Sequence, residues 1–209
     1  MGLNYNYLLY FSQAHLWNVL QSLGDICDTE GMQPTTIQFP DHDLVIPLMS
    51  DWGKKDVFPH NQPELQFAIS MNFEEDEAIA DYLYNRDGDQ FDRSPPEDGK
   101  PRIHSIGFIY LTVFTDLSQH YGFTNKPNEM VLFKFGTTGT KMSLLFSDST
   151  SIRKTFIKLL EDHHGITGIF DWEIDYGELF WFKGRHYQFS LSNNFLLPEE
   201  IELELARGY

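Results

Sequence analysis

The sequence has a single cysteine, Cys27, in 209 residues, so no disulfide can form within the chain. Stabilising disulfides belong to oxidising compartments, so a lone cysteine favours an intracellular protein. Lys and Arg are missing before Lys54, whereas secretory signals and mitochondrial presequences both require positive charge near the N-terminus. The sequence therefore predicts a cytoplasmic protein, and its general character favours a bacterial-type one.

Long apolar runs are also missing, since no stretch approaches the roughly 20 residues that cross a bilayer as a helix. The chain is nevertheless 41% hydrophobic and 15% aromatic, which is ample material for a core. This composition excludes collagen-like, coiled-coil and low-complexity proteins. We expect one domain over residues 1–209 and no membrane association.

Basic residues are scarce: 15 Lys and Arg stand against 31 Asp and Glu, for a formal charge of -16. The imbalance lies mainly in residues 1–99, which hold 18 acidic and 4 basic residues. An acidic surface repels phosphates, so binding to nucleic acids or to anionic membranes is disfavoured. A basic protein is the partner that this charge favours; alternatively, the charge serves solubility alone.

One order of elements recurs along the chain. A strand at 4–11, a helix starting after Ser12 and two strands at 35–39 and 44–48 are predicted from apolar periodicity and turn residues. Near the other end, the same patterns predict a strand over Lys141–Phe146, a helix, and two further strands at 168–174 and 178–182. The halves, about 1–73 and 128–190, are either a duplication or a chance similarity.

Among the predicted elements, hairpins outnumber strand–helix–strand crossovers. This indicates an α+β fold with a mainly antiparallel sheet and helices on one face. The repeated β-α-β-β order is similar to that of ferredoxin-like folds. Element order alone carries no inference about function.

The two halves are joined by an acidic segment, residues 74–98, with ten acidic and two basic side chains. Asn85, Asp87 and Asp89 alternate as Ca²⁺ ligands do, but the EF-hand pattern fails because Gln90 and Pro96 occupy its glycine and glutamate positions. We expect a solvated surface loop, preceded by a short helix over 75–84.

Two clusters are candidate sites. Asp41, His42 and Asp43 stand at a predicted turn, where two carboxylates and an imidazole form either a metal site or simply an Asp-rich turn. Trp172, Tyr176 and Trp181 belong to an aromatic-rich C-terminal region. Strand alternation places Phe180 and Phe182 on one face and Trp181 on the other, so Trp181 is either an exposed binding platform or covered by a second layer.

A third candidate is excluded. The loop Gly136–Lys141 has two residues between its glycines, whereas a phosphate-binding loop has four, and the strand predicted after it would leave no helix N-terminus for a phosphate.

The leading hypothesis is thus a non-enzymatic binding protein without a cofactor, whose partner is a basic protein. The alternative is a metal-assisted hydrolase that uses His42 with Asp41 or Asp43 and carboxylates of the 74–98 segment. Self-association through a sheet edge or the aromatic face is a further alternative.

Overall fold

The structure is a computed structural model, and it describes residues 2–88, 91, 94, 99–118, 129–174, 176–193 and 196–207. Within these ranges, the side chains of Trp52, Ile174 and Tyr176 are outside the description.

The described residues form ten strands and five helices. The strands are β1 (Asn6–Ser12), β2 (Thr35–Gln38), β3 (Asp43–Ile46), β4 (Val57–Pro59), β5 (Glu64–Glu74), β6 (Ile103–Phe114), β7 (Met130–Gly136), β8 (Thr167–Ile174), β9 (Tyr176–Phe182) and β10 (Arg185–Leu191). The helices are α1 (Leu16–Ile26), α2 (Glu77–Asp87), α3 (Thr140–Asp148), α4 (Thr150–Asp162) and α5 (Pro198–Arg207). None of these helices is long and apolar enough to span a membrane.

Seven strands form one antiparallel sheet in the order β10-β9-β8-β1-β7-β6-β5. The other three form a small sheet in the order β3-β2-β4, in which β2 and β4 are parallel. The predicted α+β class with mainly antiparallel strands is confirmed. Among the described strands β10 pairs only with β9, so it lies at an edge of the sheet, and self-association through it stays a prediction.

The core lies on both faces of the central strand β1. Tyr7, Leu9 and Phe11 face the larger apolar cluster, to which α1, α2, α3 and α4 all contribute. Leu8 and Tyr10 face a smaller cluster that includes Ile201 of α5. The expectation of helices on one face therefore holds for four helices but not for α5, because a strand that is apolar on both faces must be covered on both.

The second half of the chain departs from the predicted order. Lys141–Phe146, expected as a strand, lies in helix α3, where Met142, Leu145 and Phe146 are buried with the helical spacing of three and four. The strand of this half is β7, which pairs with β1 and β6. In the predicted repeat, the strand of the first half, β1, is thus matched to a helix in the second half.

The hairpins of the two halves also occupy different places. Strands β2 and β3 belong to the small sheet, whereas β8 and β9 extend the main sheet beside β1. The β-α-β-β order therefore recurs along the chain without equivalent positions in the sheets.

Candidate functional site

A cleft of about 490 Å³ opens between α1, α4 and the end of the β5–β6 pair. Three apolar side chains, Ile26, Ile103 and Leu159, line it together with polar and charged ones. The polar and charged lining residues are Ser22, Asp25, Asn72, Glu74, Glu75, Asp76, Thr150, Ser151, Lys154, Thr155, Lys158, Asp162 and His163.

Helix α4 forms the longest wall of the cleft. Its inner face carries Ile152, Phe156 and Leu160, which are fully buried in the core. On the side that faces the cleft, two residues of each turn contribute to the lining, beginning with 150–151 and ending with 162–163. A helix of 13 residues is about 20 Å long, so the cleft is elongated along α4.

At one end of the cleft, the carboxylate of Asp76 connects two helices. One oxygen accepts a hydrogen bond from the backbone N–H of Ile79 in α2, at 2.9 Å. The other accepts from Ser149 Oγ at 2.8 Å and from the backbone N–H of Ser151 at 2.9 Å. Burial opposes ionisation of this carboxyl, but the hydrogen bonds from Ser151, Ile79 and Ser149 hold its pKa below the usual value.

At the other end, His163 Nε2 lies 2.7 Å from Ser22 Oγ. Burial lowers the pKa of His163, which keeps the ring neutral at neutral pH. Ser22 Oγ also donates to the carbonyl oxygen of Val19 at 2.9 Å. Ser22 lies inside α1 and the His163 N–H bonds to Leu159 O, so these two residues offer no free backbone donor for an oxyanion. We interpret the contact as a link between α1 and α4 rather than a nucleophile and its base.

The cleft is acidic. Five carboxylates and two lysines line it: Asp25, Glu74, Glu75, Asp76 and Asp162 against Lys154 and Lys158. Several of these charges already have partners. Glu75 Oε2 lies 2.6 Å from His104 Nε2, and Lys158 Nζ lies 2.7 Å from Asp162 Oδ2. When these pairs are set aside, the remaining carboxylates of the lining still outnumber its remaining lysine.

The predicted metal residues lie elsewhere, at the start of β3. His42 Nδ1 is 2.8 Å from Asp41 Oδ1, and the His42 ring stacks on Phe39 at 4.5 Å. Asp43 is exposed at the first position of β3. Among the described residues, no three His, Cys, Asp or Glu side chains are placed to hold a metal ion. The structure therefore pairs His42 with Asp41 but does not assemble the three predicted ligands.

Of the three predicted aromatic binding residues, Trp181 is buried, with 4% of its surface exposed. Its indole N–H donates to the carbonyl of Gly165 at 3.0 Å. Trp172 is half-buried against Phe170 at a ring distance of 5.8 Å. Tyr176 opens β9, and its side chain lies outside the described part of the structure.

A β-bulge places Trp181 inside the protein. Gly168 pairs with Trp181 and Ile169 pairs with Leu179, so Phe180 is an extra residue in β9. As a result, Phe180 and Trp181 both join the larger core, while Phe182 joins the smaller one. The predicted alternation, with Phe180 and Phe182 on one face, is therefore wrong.

The loop Gly136–Lys141 leads from β7 into α3, so a helix follows it and the strand expected there is absent. The backbone N–H of Leu3 donates to Thr140 Oγ1 at 3.1 Å, which brings the N-terminal segment to the start of this helix. The spacing of the glycines continues to exclude a phosphate-binding loop.

The acidic segment is described only in part. Its predicted short helix is confirmed as α2, and Asp87 pairs with Arg86 at 2.7 Å. Asp89, Gln90 and Pro96 lie outside the described residues.

No family model, curated protein or solved structure matches this chain. Function is therefore inferred from the chemistry of the cleft.

Proposed function

We propose that the protein binds a basic segment of a partner protein in the cleft along α4. The observation that carries the proposal is the excess of carboxylates in an elongated cleft whose second lysine, Lys158, is already paired with Asp162. The formal charge of -16 adds a long-range attraction for a basic partner.

Two carboxylates of the cleft are available to a ligand. The side chains of Asp25 and Glu74 are exposed and make no hydrogen bond or ion pair with other described residues. A charged group that approaches them loses little of its hydration, so each contact is weak by itself. Affinity then comes from several contacts made together.

The apolar lining suits the stems of basic side chains. Ile103 is 58% exposed at the cleft, and Ile26 lies in the same lining. Lys and Arg bury their methylene groups on such surfaces while their charged ends stay near water or carboxylates. A wall of about 20 Å accommodates about six residues of an extended chain.

Binding of a fluorescent, lysine-rich peptide of about six residues, followed by anisotropy, tests the proposal. We expect affinity to fall steeply between about 0.05 M and about 0.5 M salt, because the contacts are exposed ion pairs. The double variant Asp25→Asn/Glu74→Gln is expected to bind about tenfold more weakly.

A matched control is Glu30→Gln/Asp43→Asn, which removes two exposed carboxylates outside the cleft lining. It changes the net charge equally and should alter affinity by less than about twofold. Equal losses in the two double variants would show that only bulk charge matters and would contradict binding in the cleft.

We also propose a cytoplasmic location. It is supported by Cys27, the single cysteine of the sequence, which is buried and free. Cell fractionation that recovers the protein with secreted or envelope markers would contradict this location.

A further inference from the structure

The polar side chains of the cleft fall into two sets. Asp76, Glu75, Lys158 and His163 each have a partner within the protein. A second set makes no side-chain hydrogen bond or ion pair with any other described residue: Asp25, Asn72, Glu74, Ser151 and Lys154. These five side chains without partners among the described residues supply two carboxylates, one ammonium, one amide and one hydroxyl.

Ser151 is the member that points most directly to a ligand. Its residue surface is 8% exposed, yet its hydroxyl has no partner among the described residues. Both polar groups of its backbone are already hydrogen-bonded: the N–H donates to Asp76 at 2.9 Å, and the carbonyl accepts from Thr155 Oγ1 at 3.0 Å. The Ser151 hydroxyl lines the cleft and is available to donate a hydrogen bond to a polar group bound there.

Lys154 indicates that the polar group bound here is negatively charged. It stands three residues after Ser151, so both side chains lie on one side of α4. It is the one lysine of the described lining that has no ion pair. A cationic group placed next to the Lys154 ammonium would meet repulsion, whereas a carboxylate would be attracted.

We propose that the cleft binds the carboxyl-terminal Lys or Arg of a peptide. Its basic side chain is received by Asp25 and Glu74, and its terminal carboxylate by Lys154 and the Ser151 hydroxyl. The amide of Asn72 is available to the peptide backbone, and Ile26 supports the methylene stem. This assignment rests on the proposed function, because it specifies which basic segment occupies the same cleft.

The test compares two acetylated, glycine-rich peptides that end in lysine, one with a free carboxylate and one amidated, by isothermal titration calorimetry. The amidated peptide has one more positive charge, so general attraction to a protein of charge -16 favours it. We expect the reverse order, with the free acid bound about fivefold more tightly, the size of one exposed ion pair.

The variant Lys154→Gln is expected to lose this preference. Lys141→Gln is the matched control, because it removes an exposed helical lysine outside the cleft and should retain the preference. A tighter amide, equal binding of the two peptides, or an unchanged preference in Lys154→Gln would overturn the assignment.

The failure of this assignment is distinguishable from failure of the proposed function. If both peptides bind equally and both lose affinity in Asp25→Asn/Glu74→Gln, the basic-segment proposal stands and the carboxylate assignment falls. If neither of these single-lysine peptides binds while the lysine-rich peptide does, the carboxyl-terminal assignment falls and the basic-segment proposal stands; if the lysine-rich peptide also fails to bind, both proposals fall.

Discussion

The N-cap residues of two helices, Asp76 and Ser149, are hydrogen-bonded to each other at 2.8 Å. Asp76 accepts from Ile79 at the start of α2, and Ser149 accepts from Ile152 at the start of α4. One pair of side chains therefore satisfies first-turn backbone N–H groups that have no partner within their own helix, and it fixes one end of the cleft.

Replacing Asp76 with Ala is expected to cost about 2 kcal/mol of unfolding free energy, because the change removes acceptors from two helix starts. Asp76→Asn retains one acceptor oxygen and should cost less. Urea denaturation measures both variants. A loss of less than about 0.5 kcal/mol for Asp76→Ala would contradict the double cap.

The Asp76 carboxylate also predicts acid sensitivity. Because the folded-state pKa lies below the unfolded value, its stabilisation is complete above a pH of about 4 and is lost as the pH falls through the folded pKa. The wild-type protein and Asp76→Ala should therefore converge in stability at strongly acidic pH.

The ion pair between Arg153 and Glu178 links α4 to β9. The two hydrogen bonds are 2.5 Å and 2.9 Å long, and the side chains are 29% and 11% exposed. Arg153→Met should cost about 2 to 3 kcal/mol, because it leaves a mostly buried carboxylate unpaired. The double variant Arg153→Met/Glu178→Leu should be less destabilised than the sum of the singles, and a double-mutant cycle measures the difference. Additive losses of unfolding free energy would contradict a stabilising interaction between Arg153 and Glu178.

His163 predicts a loss of stability under mildly acidic conditions. Burial lowers its folded-state pKa, so its contribution is complete above the unfolded value of about 6.5 and decreases as the pH falls below it. His163→Gln has no such charge to bury and should show a smaller drop in melting temperature between about pH 7 and about pH 5.5. His60→Gln, at an exposed histidine, is the control and should behave like the wild type.

Trp181 is predicted to be structural. Trp181→Phe should cost about 1 to 2 kcal/mol, because it removes the hydrogen bond to Gly165 and part of the core volume. Trp172→Phe, at a half-buried position, should cost less. Denaturation in urea measures both. No change for Trp181→Phe would favour an exposed platform instead.

Cys27 should be unreactive in the folded protein. It is buried, and burial together with the neighbouring Asp28 raises the pKa of its thiol to about 12, so very little thiolate is present at neutral pH. Labelling with a thiol reagent should be slow in buffer and fast in denaturant. Rapid labelling without denaturant would show that α1 opens locally.

Local patterns in the sequence were sufficient for the α+β class, for β1 and for α1, because apolar periodicity reflects which side of an element is buried. The strand predicted over Lys141–Phe146 is wrong because this segment is short and has three apolar residues near its end, a pattern compatible with either a strand or a helix. Only the packing of Met142, Leu145 and Phe146 against the core distinguishes them.

The sequence by itself determined the charge, the absence of disulfides and the apolar material of the core. The bulge at Phe180 and the cleft were decided by tertiary structure. The bulge depends on how β9 pairs with β8, and the cleft brings Asp25, Glu74 and Lys154 together from three segments far apart in the chain. Spacing along a sequence reports neighbours within one helix or strand, whereas a binding cleft is formed by contacts between elements, and those follow from the packing of the whole core.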